Sequence, residues 1–203
     1  MIDYSFDDHL SVITINRPEK ANALTGDMLR ALIDAVDKAR ESRAVVLTGI
    51  GKIFSAGASL DEVKTGLATD PVWEILSQKI ADLSGLTICA LNGTLAGGAF
   101  GMALACDLRI AVPDAKFFYP VLKMGVYPQP SDPARMKALI GPSRTKMILL
   151  SAQKIQSDAA LRWGLIDEIV APDTLMDRAN ALAETARATT LPLVRGVKAA
   201  ITG

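Results

Sequence analysis

Histidine and cysteine are nearly missing from this chain: its 203 residues include one histidine, His9, and two cysteines, Cys89 and Cys106. Both cysteines lie in apolar segments without metal-ligand spacing, so they are expected as buried, reduced thiols, and no metal site is expected. His9 falls in the turn between two candidate strands, where solvent exposure is a better expectation than catalysis. An excess of either charge is also absent, because 22 Lys and Arg offset 22 Asp and Glu. That balance gives no electrostatic footprint for nucleic acid or an anionic membrane as main partner. No apolar run reaches membrane-spanning length, and Met1-Ile2-Asp3-Tyr4-Ser5 shows no basic-plus-apolar signal pattern, so a cytoplasmic protein is expected. Repeats, low-complexity tracts and flexible linkers are lacking as well. With half of its residues hydrophobic, the chain is expected to form a single domain over residues 1–203.

What the chain does contain is two glycine turns, each following a short apolar strand. Leu86-Thr87-Ile88-Cys89-Ala90-Leu91 reads as a buried strand, and Asn92 to Asp107 continues through Gly97-Gly98 into a small-residue helix. A helix start leaves N–H groups unpaired beside the positive end of its dipole, and glycine lets a ligand approach the main chain closely. The alternative is a tight turn that packs a helix on a sheet. Upstream, Ala44-Val45-Val46-Leu47-Thr48-Gly49 precedes Phe54-Ser55-Ala56-Gly57-Ala58-Ser59-Leu60. Two such turns could aim two backbone donors at one oxygen, the geometry that holds a thioester carbonyl as it becomes an enolate.

Elsewhere, residues 2–6 and 10–15 read as a hairpin rich in β-branched residues. Thr25 is the expected N-cap of an amphipathic helix running to about Ala39, and Asp70-Pro71 opens another running to about Leu83. Strands are expected at Leu108–Val112 and Ala115–Pro120. The proline-rich stretch from Val121 to Pro133 is expected as a stiff loop without an element of its own. Helices are expected over 134–140, 143–151 and 173–188. Alternating strands and helices with apolar strands imply an α/β fold with buried strands.

Asn16-Arg17-Pro18-Glu19-Lys20-Ala21-Asn22-Ala23-Leu24, Phe54 to Ala58, Asn92 to Ala111 and Ala159 to Asp167 resemble, in order, the signature blocks of the crotonase (enoyl-CoA hydratase/isomerase) superfamily. The resemblance implies a ββα spiral, with two stacked sheets surrounded by helices. It also implies an acyl-CoA thioester as substrate and no cofactor beyond that coenzyme A. The backbone N–H groups of Ala58 and Gly98 would form an oxyanion hole, while Arg17, Lys20 and Ala21 would meet the nucleotide end of CoA. A homo-oligomer, trimer or hexamer, is implied too. The helical region from about residue 173 is shorter than in typical relatives, and Lys198 within it would be a CoA phosphate contact.

The departures bear on mechanism. Family hydratases carry two glutamates as acid and base, and the corresponding positions here are Gly101 and Val121, neither of which transfers a proton. Ser59 stands where an aspartate is usual. Asp132 is the best replacement carboxylate, aimed inward by a small register shift; the alternative is an N-cap for the helix starting at Pro133. Asp61 or Glu62 as a catalytic carboxylate ranks below solvated helix-start charges. Tyr119 and Tyr127 could relay a proton, with core packing the better expectation. Two functions follow. One is an isomerase, decarboxylase or lyase that stabilises an acyl-CoA enolate; the other is a non-catalytic acyl-CoA-binding or scaffold member of the family.

Overall fold

The structure, a computed structural model, describes residues 1–202. The β-branched run Leu10-Ser11-Val12-Ile13-Thr14-Ile15 suits a pleated surface. It forms a hairpin of β1 (Ile2–Asp7) and β2 (Leu10–Ile15), with Ile2 opposite Ile15 and Asp7 opposite Leu10. His9 sits in the turn at φ 63°, and its carbonyl accepts from the N–H groups of Arg43 and Ala44 at 2.9 and 3.3 Å. The chain continues through β3 (Ala44–Gly49), β4 (Ile53–Ser55), β5 (Leu86–Leu91), β6 (Thr94–Ala96), β7 (Leu108–Ala111) and β8 (Lys116–Phe118). Two short strands, β9 (Ile155–Gln156) and β10 (Glu168–Ile169), complete the set among the described residues.

A six-stranded sheet has the order β1-β2-β3-β5-β7-β10 and is parallel from β2 onward; a four-stranded sheet has the order β4-β6-β8-β9. Strands β3 and β5 are buried along nearly their whole length, which is why they read as continuous apolar runs rather than alternating ones. The helices are α1 (Gly26–Lys38), α2 (Leu60–Val63), α3 (Val72–Ala81), α4 (Phe100–Ala105), α5 (Val121–Met124), α6 (Asp132–Leu149), α7 (Ser157–Trp163), α8 (Leu175–Arg187) and α9 (Leu191–Thr202). The pairs β3–β4, β5–β6 and β7–β8 each send one strand to the large sheet and the next to the small one, then pass into helix. This is the expected ββα spiral. Phe54, Phe100, Phe117, Leu76 and Leu91 are fully buried in the core that the layers share.

Capping follows the sequence where local chemistry suffices. Thr25 Oγ1 accepts from Met28 N at 3.2 Å, and Asp70 Oδ1 accepts from Val72 N at 2.8 Å. Two features differ from expectation. Strands β4 and β6 occupy stretches that read as turns, because three residues are too few to display a period. Helix α5 forms inside the expected proline loop, ahead of its prolines at 128, 130 and 133. Helix α6 comprises the two expected helices, broken as expected at Gly141, φ 76° and ψ 167°. Lys198 donates to the carbonyls of Leu83 and Gly85 at 3.0 and 3.2 Å and pairs with Asp107 at 2.8 Å. Its ammonium therefore ties α9 to the body of the domain.

Asn22 pins the loop that precedes α1. Fully buried at φ 53°, it accepts from Arg17 N at 2.8 Å and donates to the carbonyls of Ile50 and Ile53 at 2.9 and 2.6 Å. Asn22→Ala removes all three bonds, leaving Ile53 O only the longer one from Asn92 Nδ2 at 3.3 Å, and is expected to cost about 2–4 kcal/mol, at roughly 1 kcal/mol or more for each lost bond. Urea unfolding checks this; a midpoint within error of the wild type would contradict the pinning role.

Candidate active site

The two glycine turns end neighbouring parallel strands. Strand β4 pairs with β6, Ile53 opposite Thr94, so Ala56–Ala58 and Gly97–Gly98 emerge side by side. The approach is backbone to backbone. A Cβ on Gly57, at φ 87°, would lie 2.9 Å from the Ala96 carbonyl oxygen, and one on Gly97 would lie 3.7 Å from Gly57 Cα. Any side chain at Gly57 would push the turns apart. Leu24 N donates to Gly57 O and Ser59 N to Leu24 O, both at 2.7 Å, so extended-chain alternation turns the Ala58 N–H to the opposite side. Gly98 occupies the first turn of a 3₁₀ segment, Gly97–Ala99, where N–H groups have no acceptor within the helix.

Ala58 and Gly98 line one cavity of about 130 Å³, together with Trp73, Tyr119, Val121, Gln129 and smaller apolar residues. Exposed Leu60, Met124 and Tyr127 form its rim. The volume equals roughly four water molecules at about 30 Å³ each. No residue lining it carries a carboxylate among those described. Trp73 packs on Gly98, with its indole N–H donating to the Leu67 carbonyl at 2.8 Å. A larger polar depression of about 650 Å³ lies elsewhere, by the β1–β2 turn, where Arg187 pairs with Asp8 at 2.7 Å.

Asp132 does not line the cavity. It is fully buried behind Tyr119, whose hydroxyl donates to Asp132 Oδ2 at 3.0 Å and accepts from Gln129 N at 3.3 Å. The N-cap alternative fails as well, because Asp132 is the first residue of α6 and its carboxylate caps nothing. Oδ1 has no hydrogen-bond partner and faces the site of the missing side chain of Gly101, where a Cβ would come within 3.0 Å of it. Burial raises the Asp132 pKa; the Tyr119 bond opposes the rise, Glu74 adds to it and Arg135 opposes it, leaving a value of about 7. Burial, with the Asp132 charge next, pushes the Tyr119 phenol far above its ordinary value.

The loop carrying Arg17, Lys20 and Ala21 is stitched to the first turn. Ala56 N donates to Ala21 O at 3.0 Å, and Ser55 Oγ donates to Asn22 O at 2.8 Å. Arg17 Nη1 donates to the Ala23 carbonyl at 2.9 Å, and Lys20 is exposed. None of these three residues lines the cavity; they stand on its flanking loop.

Residues 5–202 match the family model described as enoyl-CoA hydratase/isomerase. The chain belongs to this family, part of the crotonase superfamily. It is 36% identical over 183 residues to a short-chain-enoyl-CoA hydratase of Clostridium acetobutylicum, covering 86% of this chain and 70% of that one. A crotonyl-CoA hydratase of Syntrophomonas wolfei is 34% identical over 186 residues, covering 87% and 72%. Among solved structures, an enoyl-CoA hydratase of Bacillus anthracis superposes with a TM-score of 0.90 at 29% identity, covering all of this chain and 82% of that one. An enoyl-CoA hydratase/isomerase of Pseudoalteromonas atlantica gives 0.91 at 26% identity, covering 98% and 82%.

Within this crotonase-family fold, the two positions expected for glutamates have different surroundings. Val121 lines the cavity with hydrocarbon, and Gly101 leaves room for Asp132 to enter from α6. Glu62 is committed elsewhere, since its Oε2 accepts from Gly26 N at 2.8 Å at the start of α1, and Asp61 is exposed and off the cavity wall. Sequence reading assigns no role to Trp73 of α3 or to Gln129, whose side chain donates to Ala68 O at 3.2 Å across the cavity rim. Neither carries a sequence signal beyond its neighbours. No helix among the described residues is long and apolar enough to cross a membrane.

Proposed function

We propose that the protein binds an acyl-CoA thioester and stabilises its enolate through the backbone N–H groups of Ala58 and Gly98. The reaction is isomerisation, decarboxylation or bond cleavage rather than hydration, and it uses no coenzyme beyond the CoA of the substrate. One observation carries this reading: the two turns meet backbone to backbone at a cavity lined by no carboxylate. Preorganised N–H donors lower the cost of a developing oxyanion, whereas adding water also needs a placed base and acid, worth roughly 10²–10⁴-fold for each group. The small cavity favours a short acyl group. Arg17 and Lys20 supply positive charge for the CoA phosphates. Assembly into a homo-oligomer belongs to the same reading, supported by the exposed apolar stripe of Leu193, Val197 and Ile201 on α9.

Single-turnover assays with crotonyl-CoA, a dienoyl-CoA and malonyl-CoA test it. Turnover of one of the last two is expected, with hydration of crotonyl-CoA at least about 10²-fold slower than in a two-carboxylate hydratase. Fast hydration of crotonyl-CoA would overturn the proposal. Tight thioester binding with no turnover at all would favour a non-catalytic acyl-CoA-binding member, a reading supported by Val121 on the cavity wall and by the enclosure of Asp132.

A further inference from the structure

Only Tyr119 and Tyr127 bring a titratable proton to the cavity wall among the described residues. Tyr127 is 90% exposed, whereas Tyr119 is 4% exposed and stacked on Phe100 with ring centroids 5.4 Å apart. A phenol has one proton to give and two lone pairs to fill. At Tyr119 one lone pair accepts the Gln129 N–H, and the proton is spent on Asp132 Oδ2. With Asp132 ionised, Tyr119 therefore has no proton left for a ligand. A protonated Asp132 changes this, because its own O–H can fill the second lone pair of the phenol across the same 3.0 Å. The Tyr119 proton is then free to turn toward the cavity.

We propose that Tyr119 is the proton donor of this site and that Asp132 is the positioning residue that releases it, by reversing their hydrogen bond when it becomes protonated. The proposal rests on the enolate reading given above. The surroundings favour a neutral Asp132: Oδ1 is buried without a partner, which costs a carboxylate more than an acid. The charged groups that bear on it are few. Glu74 stands on α3, its Oε2 held by Ser131 N and Oγ at 3.1 Å each. Arg135, on α6 itself, donates to Ser77 Oγ at 2.7 Å and Gln78 Oε1 at 3.2 Å. Helix α4 carries no charged side chain and presents Gly101 to it. Together with burial these place the Asp132 pKa at about 7, inside a range where the switch can operate.

The electron pair of the enolate α-carbon forms a C–H bond with the Tyr119 proton, and the Tyr119 O–H bond breaks. The resulting phenolate, still held by the Asp132 O–H and the Gln129 N–H, takes its proton back from solvent once the product leaves.

Protein labelled with ¹³C at tyrosine Cζ, titrated from pH 5 to 9, tests the switch without any substrate. The Tyr119 resonance, assigned by its loss in Tyr119→Phe, is expected to move in a single step near pH 7. In Asp132→Asn, whose amide donates to the phenol at every pH, it should stay fixed. No step in the wild type, or the same step in Asp132→Asn, overturns the proposal. Malonyl-CoA turnover gives the second arm. Wild-type turnover should fall by about tenfold per pH unit above the step, Asp132→Asn should show no such fall, and Tyr119→Phe should lose about 10²-fold with thioester binding intact. Loss of turnover in a folded Asp132→Asn as deep as in Tyr119→Phe also overturns it. A spectroscopic step without turnover of any thioester supports the switch and rejects the enzyme reading beneath it.

Discussion

Gly93→Val is expected to leave little folded protein. Gly93 lies between β5 and β6, where the chain crosses from the large sheet to the small one. A Cβ there would collide with the Lys52 carbonyl oxygen and approach Lys52 C to 2.5 Å and Ile53 N to 2.9 Å. All three are backbone atoms just before or within β4, so no rotamer change removes the conflict. Overpacking by an added side chain usually costs about 1–3 kcal/mol when neighbours can turn aside. Here the sheet crossing itself must shift, and a cost above about 4 kcal/mol is expected. That is a large share of a typical total of about 5–15 kcal/mol. Gly196→Ala provides the contrast: nothing lies within 4 Å of its Cβ direction, and the position is inside α9. Alanine there is expected to be neutral or to stabilise by about 0.5–1 kcal/mol through helix propensity. Circular dichroism and urea midpoints of the two variants compare them directly; a wild-type-like midpoint for Gly93→Val would refute the backbone clash.

Gly98→Val is expected to separate function from folding. A Cβ at this position would sit 3.2–3.3 Å from the Trp73 indole carbons, and that indole is held by its bond to Leu67 O. The ring has to give by a few tenths of an ångström, a cost of about 1–3 kcal/mol that the fold survives. The added methyl groups crowd the wall against which a carbonyl oxygen would approach the Gly98 N–H. Removing one donor of an oxyanion pair lowers turnover by about 10²–10³-fold, and obstructing the approach is expected to do at least as much. Thermal unfolding and single-turnover kinetics on the best thioester substrate check both halves. Unchanged turnover in the folded variant would remove Gly98 from the oxyanion pair, and with it the proposed mechanism.

The sequence was most legible where chemistry is local or a run is long. The hairpin β1–β2, the Thr25 cap, the buried strands β3 and β5 and helix α8 all follow from residues that lie within a few positions of one another. The small sheet was much less legible from the residues, because β4 and β6 have three residues each and are defined by what they pair with. The family resemblance, carried by whole blocks, supplied the two-sheet plan that periodicity could not. At the site, the spacing of Gly57 and Gly97 left open whether the turns meet; their contact is set by the β4–β6 register. Asp132 was singled out as a carboxylate, but that Tyr119 stands between it and the cavity depends on β8, α4 and α6 packing together. No local pattern encodes that.

The stitching of residues 21–24 to residues 55–59 has a consequence for extended ligands. Four main-chain carbonyls take part: Ala21 receives the Ala56 N–H, Asn22 the Ser55 hydroxyl, Gly57 the Leu24 N–H and Leu24 the Ser59 N–H. The distance between the basic loop and the paired turns is thus a fixed ruler, held by three main-chain bonds and one from the Ser55 hydroxyl. If Lys20 contacts the far end of a long ligand as proposed, exchanging its exposed side chain is expected to change how firmly that end is gripped, while the reach to the opposite end stays the same.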